Sequence, residues 1–258
     1  MTARISVVTV VRNSVSTIEE TIRAVAAQTY GNVEHIVVDG ASTDGTQDIV
    51  HRYRDKIAKI VSEPDRGIYD AMNKGLALAS GDVVGFLNSD DIYEHERVLQ
   101  KVASVMSDPE VDACYGDLVY TDPSDTRRVT RYWKSRPYED GLCRRGWMPA
   151  HPTFFVRRSV YEQFGGFDLE FRRQADFELT LRLFDVHGIR SVYVPEVWVR
   201  MRTGGLSNNS FSGIMKGNIE AYRACRKNGL RVTPFFIVYK MLSRIPQFFA
   251  RPSEDVSR

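Results

Sequence analysis

The stretch Val83-Val-Gly-Phe-Leu-Asn-Ser-Asp-Asp91 decides how this chain is read. Val83 to Leu87 forms an apolar run suited to a buried strand, and it delivers two adjacent carboxylates, Asp90 and Asp91, to its C-terminal end. In a parallel α/β sheet that end is where ligands bind. Carboxylates there are hard oxygen donors for Mg²⁺ or Mn²⁺, and such an ion usually also holds substrate phosphates. The expectation is a metal-bridged nucleotide diphosphate.

Upstream of this stretch the elements alternate. Ile5–Val11 is a β-branched run, and Ser16-Thr-Ile-Glu19 matches a capping box opening a helix through about Gln28. Glu34-His-Ile-Val-Val-Asp39 reads as the second strand, the turn 40–45 leads into a helix to about Arg54, and Lys59–Ser62 reads as a third strand. Ile68–Ala79 is helical, and a helix from about Glu94 to Met106 and a strand near Ala113–Tyr120 follow. This pattern predicts an α/β fold with a mainly parallel, Rossmann-like sheet covered on both faces.

After residue 120 the alternation stops. Thr121-Asp-Pro-Ser-Asp125 predicts a hairpin turn returning along Arg128–Trp133, and 134–147 reads as loop. Thr153–Val156 is strand-like, Ser159–Phe164 helical, and Ala175–Phe184 an amphipathic helix. The domain expected is 1–210, with a nucleotide-binding half over 1–120 and a mixed acceptor-side half over 121–210, followed by a helical tail over 211–258.

Composition narrows the function classes. With 258 residues, 43% hydrophobic and 26% charged, the chain has the make-up of a globular protein. The three cysteines show no metal-ligand spacing and point to a reducing compartment. The N-terminus reads as a first strand and not as a signal segment, and no apolar run is long enough to span a bilayer. The net charge of +2 is unevenly placed: residues 211–258 hold nine Lys/Arg against three Asp/Glu, leaving +6 there and −4 elsewhere. Residues 234–249 interleave aromatics with basic residues, which suits either a helix lying on an anionic membrane surface or one packing its apolar stripe on the domain. The resulting expectation is a cytoplasmic protein, peripheral at the inner face of the cell membrane, with no nucleic-acid partner.

Asp39 ends the second strand, where a carboxylate can accept hydrogen bonds from a base N–H or a ribose hydroxyl, or simply form a turn before Gly40. Neither Gly-x-Gly-x-x-Gly nor Gly-x-x-x-x-Gly-Lys-Ser/Thr occurs, which disfavours a dinucleotide fold and a P-loop.

At this point the sequence resembles the family 2 glycosyltransferases, inverting enzymes of GT-A fold, in the branch associated with bacterial O-antigen, capsule and exopolysaccharide assembly. The matching segments are Ile5–Asn13, Val38–Thr46, Asp65-Arg-Gly-Ile-Tyr-Asp-Ala-Met-Asn-Lys-Gly75 and Gly85–Asp91. His151-Pro-Thr-Phe-Phe155, Gly165-Gly-Phe-Asp168, Ala175-Asp-Phe-Glu-Leu179 and Gly204-Gly-Leu-Ser207 continue the match, so that it covers about residues 4–210.

The resemblance implies a nucleotide-diphosphate sugar donor, a UDP-sugar foremost, a divalent metal (Mg²⁺ or Mn²⁺), and a glycan or lipid-linked acceptor. It places Asn88-Ser-Asp90 at the family's Asp-x-Asp site, with Asp90 or Asp91 as metal ligand, and Asp39 as the nucleoside-binding acid. Thr9, Arg66, Asn73 and Lys74 become candidates for nucleotide or diphosphate contacts. Asp176 corresponds to the general base, while His151 and Trp147 fall on the acceptor side. The loop at 204–209 resembles one that closes over the donor. The family's Gln-x-x-Arg-Trp motif is absent, which implies transfer of one sugar per encounter. Asn88 and Ala175 stand where many relatives carry acids, and they motivate an alternative, a catalytically silent scaffold or glycan-binding subunit of the same fold. A sugar nucleotidyltransferase is disfavoured because no Gly-rich basic loop follows Val11.

Overall fold

A computed structural model describes residues 2–203, 211–233 and 235–250. The 204–209 loop expected to close over the donor, and the end of the tail beyond residue 250, lie outside the described residues.

Four strands, β1 (Ile5–Val11), β2 (Val33–Asp39), β3 (Lys59–Ser62) and β4 (Val83–Phe86), pair in parallel in the order β3-β2-β1-β4. All seven residues of β1 are buried, as expected of a central strand covered on both faces. The helices between them are α1 (Ile18–Ala26), α2 (Thr46–Arg52) and α3 (Ile68–Leu78). Gly67, at φ 130°, occupies backbone space that favours glycine and opens α3. The predicted capping box does not form: α1 begins at Ile18 without a side-chain cap, and the Thr17 and Ile18 amides donate to the Ser14 carbonyl instead.

The second half extends the same sheet. β5 (Asp91–Tyr93), β6 (Ala113–Thr121), β7 (Val129–Trp133), β8 (Phe155–Arg157) and β9 (Ser191–Arg202) complete a sheet running β3-β2-β1-β4-β8-β6-β9-β5, with β7 beside β6. β6 pairs with β8 and then β7 along one edge, both antiparallel, and with β9 in parallel along the other. Flanking helices are α4 (Val98–Val105), α5 (Arg158–Phe164) and α6 (Ala175–Leu181). The architecture is α/β with a mostly parallel sheet, as the alternation predicted.

Two strands were not anticipated. β9 contains Pro195, which breaks the alternating pattern, and its register with β6 skips from Tyr115↔Tyr193 to Asp117↔Val197 to accommodate it. β5 pairs Asp91 with Met201 of β9. That pairing consumes residues 91–93, so the next helix starts at Val98 and not near Glu94. The tail forms α7 (Phe211–Lys227) and α8 (Phe236–Leu242). Its Ala221, Ala224, Cys225 and Phe236 share one core with Val8, Met72 and Phe177. The three cysteines are buried and unpaired. Among the described residues, no helix is long and apolar enough to cross a membrane.

Candidate active site

The parallel strands end together. Val11, Asp39 and Ser62 are register partners across β1, β2 and β3, and Asn88 to Asp91 follow β4 at the same edge.

Asp39 is almost wholly buried and fully engaged. Its oxygens accept hydrogen bonds from the Ser42 amide (3.1 and 3.2 Å), from the Ser42 hydroxyl, and from Ser62 Oγ at 2.6 Å. Ser42 Oγ in turn accepts from the Asn13 amide at 2.8 Å, and Asn13 Oδ1 accepts from the Thr43 amide at 2.9 Å. Asn13 and Ala41 both hold positive φ, 52° and 56°, a conformation unfavourable for alanine. The Asp65 carboxylate packs against Gly40, in space that a Cβ there would enter, so that the β3–α3 loop brings a second acid beside Asp39.

The loop after β1 also reaches the Asp90–Asp91 turn. Ser14 Oγ lies 3.0 Å from Ser89 Oγ, so Asp39, Ser42, residues 13–14 and Ser89 form one continuous polar path.

Asp91 is fully buried and Asp90 partly exposed. Asn88 Nδ2 donates to Asp91 Oδ2 at 2.9 Å, while Asp91 Oδ1 and Asn88 Oδ1 are buried with no partner. Burial, and then the neighbouring Asp90 charge, push the Asp91 carboxyl well above the usual carboxylate range, and burial raises Asp90 as well. Arg202 donates to the Asp90 carbonyl at 2.8 Å and pairs with Glu20, tying this turn to the end of β9. Among the described residues, no cluster of three His, Cys, Asp or Glu makes a self-contained metal cage. The donor set fits a divalent ion nonetheless: two adjacent carboxylates and unpartnered carbonyl-type oxygens are the hard ligands such ions take, with other positions left to phosphates and water.

Asp176 sits in the first turn of α6 and is partly exposed. Its Oδ1 accepts from Tyr69 Oη at 2.9 Å and from the Phe177 amide at 2.9 Å. Burial, followed by the Asp176 charge, drives the Tyr69 phenol well above its ordinary range, so it stays a donor. Tyr69 lies within the matched 65–75 segment, yet nothing local to its sequence marks it as a partner of a residue 107 positions away.

His151, in a tight turn at His151–Thr153, stacks on Phe86 at 5.6 Å and meets Phe167 edge-on at 5.5 Å. Its Nε2 is buried without a partner, and burial lowers its basicity against the opposing pull of Asp176. Tyr120 on β6 senses both acid sites: burial raises its phenol most, Arg131 and Arg244 oppose, and Asp91 and Asp176 add to the rise.

The remaining expected residues have contacts of their own. Thr9 is fully buried and its hydroxyl lies 3.0 Å from His35 Nε2, away from the strand ends. Asn73 uses its whole amide on Phe167, donating to the carbonyl (2.8 Å) and accepting from the N–H (2.9 Å). Arg66 is largely exposed and paired with Asp70 at 2.7 Å, and Lys74 pairs with Glu63 at 2.8 Å. Trp147 packs in an aromatic cluster with Tyr115, Tyr138 and Phe184, with its ring 5.9–6.2 Å from theirs.

Asp39, Asp90 and Asp91 thus lie at the strand ends of a mostly parallel sheet, the ligand-binding side of an α/β fold. The sequence model of Glycosyl transferase family 2 matches residues 6–165, and the chain belongs to that family and is a transferase. A PGL/p-HBAD biosynthesis glycosyltransferase of Mycobacterium bovis is 32% identical over 189 residues, 72% of each chain. EpsE of Bacillus subtilis (strain 168), a glycosyltransferase by name, is 28% identical over 249 residues, 93% of this chain and 88% of its own. Among solved structures, the mannosyltransferase PcManGT from Pyrobaculum calidifontis, in complex with GDP-Man and Mn²⁺, superposes with a TM-score of 0.65 at 21% identity over 95% of this chain and 70% of that one. S. aureus TarS 1–349 with UDP-GlcNAc gives a TM-score of 0.66 at 19% identity over 84% of this chain, which spans 66% of that longer one. These likenesses establish the GT-A fold.

Proposed function

We propose that this chain moves one sugar from a nucleotide-diphosphate donor, a UDP-sugar foremost, to a hydroxyl of a glycan or lipid-linked acceptor in surface polysaccharide or glycolipid synthesis, with inversion at the anomeric carbon. The observation that carries this reading is the continuous polar path from Asp39 through Ser42 and residues 13–14 to Ser89, beside the Asp90–Asp91 turn. The relatives are named for glycosyl transfer, and structural neighbours hold UDP-GlcNAc or GDP-Man with Mn²⁺.

In this reading Asp39, fixed by Ser42 and Ser62, shapes the nucleoside-binding end of the site. Asp90 is the metal ligand presented to the pocket, and Asp91, held behind it by Asn88, completes the charge. A divalent ion bound there would supply positive charge to the departing diphosphate. Asp176, oriented by Tyr69 and the Phe177 amide, takes the acceptor hydroxyl's proton as that oxygen bonds to the anomeric carbon and the bond to the diphosphate oxygen breaks. One displacement inverts the centre, so an α-linked donor gives a β-linked product. His151, whose buried Nε2 lacks a partner, lies on the acceptor side in this reading.

The test is Asp176→Asn: kcat should fall about 1,000-fold, with UDP binding by calorimetry unchanged. Full activity in that variant, or in Asp90→Ala, refutes the assigned roles.

The tail adds a location. Phe235, Val238, Tyr239, Met241, Leu242, Ile245, Phe248 and Phe249 are all exposed large apolar residues in a segment of net positive charge. An anionic bilayer would receive that face. Co-sedimentation with phosphatidylserine-containing vesicles at low salt should be lost in Phe248→Ser/Phe249→Ser, and no binding by the intact protein would end the membrane reading.

A further inference from the structure

On α8 the polarity is inverted. Tyr239 is 61% exposed and Leu242 56%, while Lys240 between them is 1% exposed. Burying an ammonium costs several kcal/mol unless partners compensate. Lys240 forms no ion pair among the described residues. Its Nζ donates to Gln174 Oε1 at 2.5 Å and stands 4.2 Å from the centre of the Phe177 ring. Gln174 precedes α6 as its cap residue, and Phe177 follows Asp176 directly. The lysine stem also packs on Gly146, next to Trp147, where an added Cβ would lie 2.5 Å from Lys240 Cβ. One side chain of the tail thus joins the acceptor-side loop to the turn carrying the proposed base.

We propose that Lys240 is a positioning residue for transfer: its ammonium fixes Gln174 and the first turn of α6, so that seating of α8 is a condition of turnover. This rests on the assignment of Asp176 as base. Tyr69 from α3 hydrogen-bonds Asp176, whose charge also bears on His151, Tyr120 and Lys240. Arg244 beyond α8 and Cys225 of α7 add to the electrostatics at Lys240. Burial, reinforced by Arg244, pushes the Lys240 amine down to about 7 while Asp176 and Cys225 pull it up, so the cation is present across the acid side of neutrality.

The experiment compares Lys240→Met and Lys240→Arg with the unaltered protein, using kcat, KM for the donor and the thermal midpoint. Met keeps the stem without the charge, and replacing a buried cation by an apolar residue is commonly neutral or stabilising. Expected for Lys240→Met is a kcat lowered about 10- to 100-fold, with an unchanged donor KM and an undiminished midpoint. Lys240→Arg, which keeps the charge, should recover most of kcat. The inference is overturned if Lys240→Met keeps kcat, or if activity falls only in step with folded protein. Should Lys240→Met fail to fold, Gln174→Met, which removes the tether and keeps the lysine, decides by its kcat, an unchanged value overturning the inference. An active Asp176→Asn sinks the base assignment itself, whereas an inactive Asp176→Asn beside a normal Lys240→Met sinks only the role of Lys240.

Discussion

Asp39 and Asp91 are both buried acids at the same edge of the sheet, but their environments are opposite. Asp39 receives donors from the Ser42 amide, the Ser42 hydroxyl and the Ser62 hydroxyl, whereas Asp91 receives one donor, from Asn88, and leaves Oδ1 bare. The first carboxylate is stabilised by the protein itself and is part of its structure. The second is raised by burial and by Asp90, with Asn88 and Arg202 opposing. One end of the site is thus satisfied by the chain's own donors, and the other keeps an unpartnered carboxyl oxygen.

Removing each acid tests that contrast. Asp39→Ala should cost about 2 kcal/mol in urea unfolding without ligand, because it strands the buried Ser42 amide and hydroxyl. Asp90→Ala, which removes a partly exposed acid, should leave the same measurement nearly unchanged. Equal losses in the two variants would erase the distinction.

Ligand linkage reads the same contrast from the other side. UDP with Mn²⁺ at about 100 times Kd should stabilise the unaltered protein by about 2.7 kcal/mol in thermal unfolding. Asp90→Ala should lose the part that depends on Mn²⁺. A metal-dependent shift that survives in Asp90→Ala would remove that residue from the ligand set.

How far each region was legible follows the same division. β1 to β4 announced themselves through β-branched runs and alternation, and Asp39, Asp90 and Asp91 were placed by the strands they end. Asp91's actual setting depends on β5, three residues long, and on β9, interrupted by Pro195; both exist because each has a partner strand. Neither is written in local propensity. The sequence also offered two fates for the tail, packing on the domain or lying on a membrane surface. α8 divides its residues, Phe236 and Lys240 inward and Tyr239 and Leu242 outward, contrary to the usual sorting by polarity. Asn73 and Thr9 sat in matching motifs, yet the fold commits their polar groups to Phe167 and His35. A motif fixes position along the chain, but the neighbours that use up a side chain's hydrogen bonds come from elsewhere in the sequence.

Tyr69 gives the smallest and most specific effect. Its single phenolic hydrogen is shared between Asp176 Oδ1 at 2.9 Å and the Arg173 carbonyl at 3.2 Å, so it orients the proposed base without being its only donor. The Phe177 amide remains when the hydroxyl is removed. Tyr69→Phe keeps the ring stacked on Phe167, whose centre lies 5.5 Å away, and the expected loss in kcat is therefore about 3- to 10-fold, the worth of one hydrogen bond. A variant with unchanged kcat would mean that Tyr69 serves packing alone, and orientation of Asp176 would then fall to the Phe177 amide and the first turn of α6.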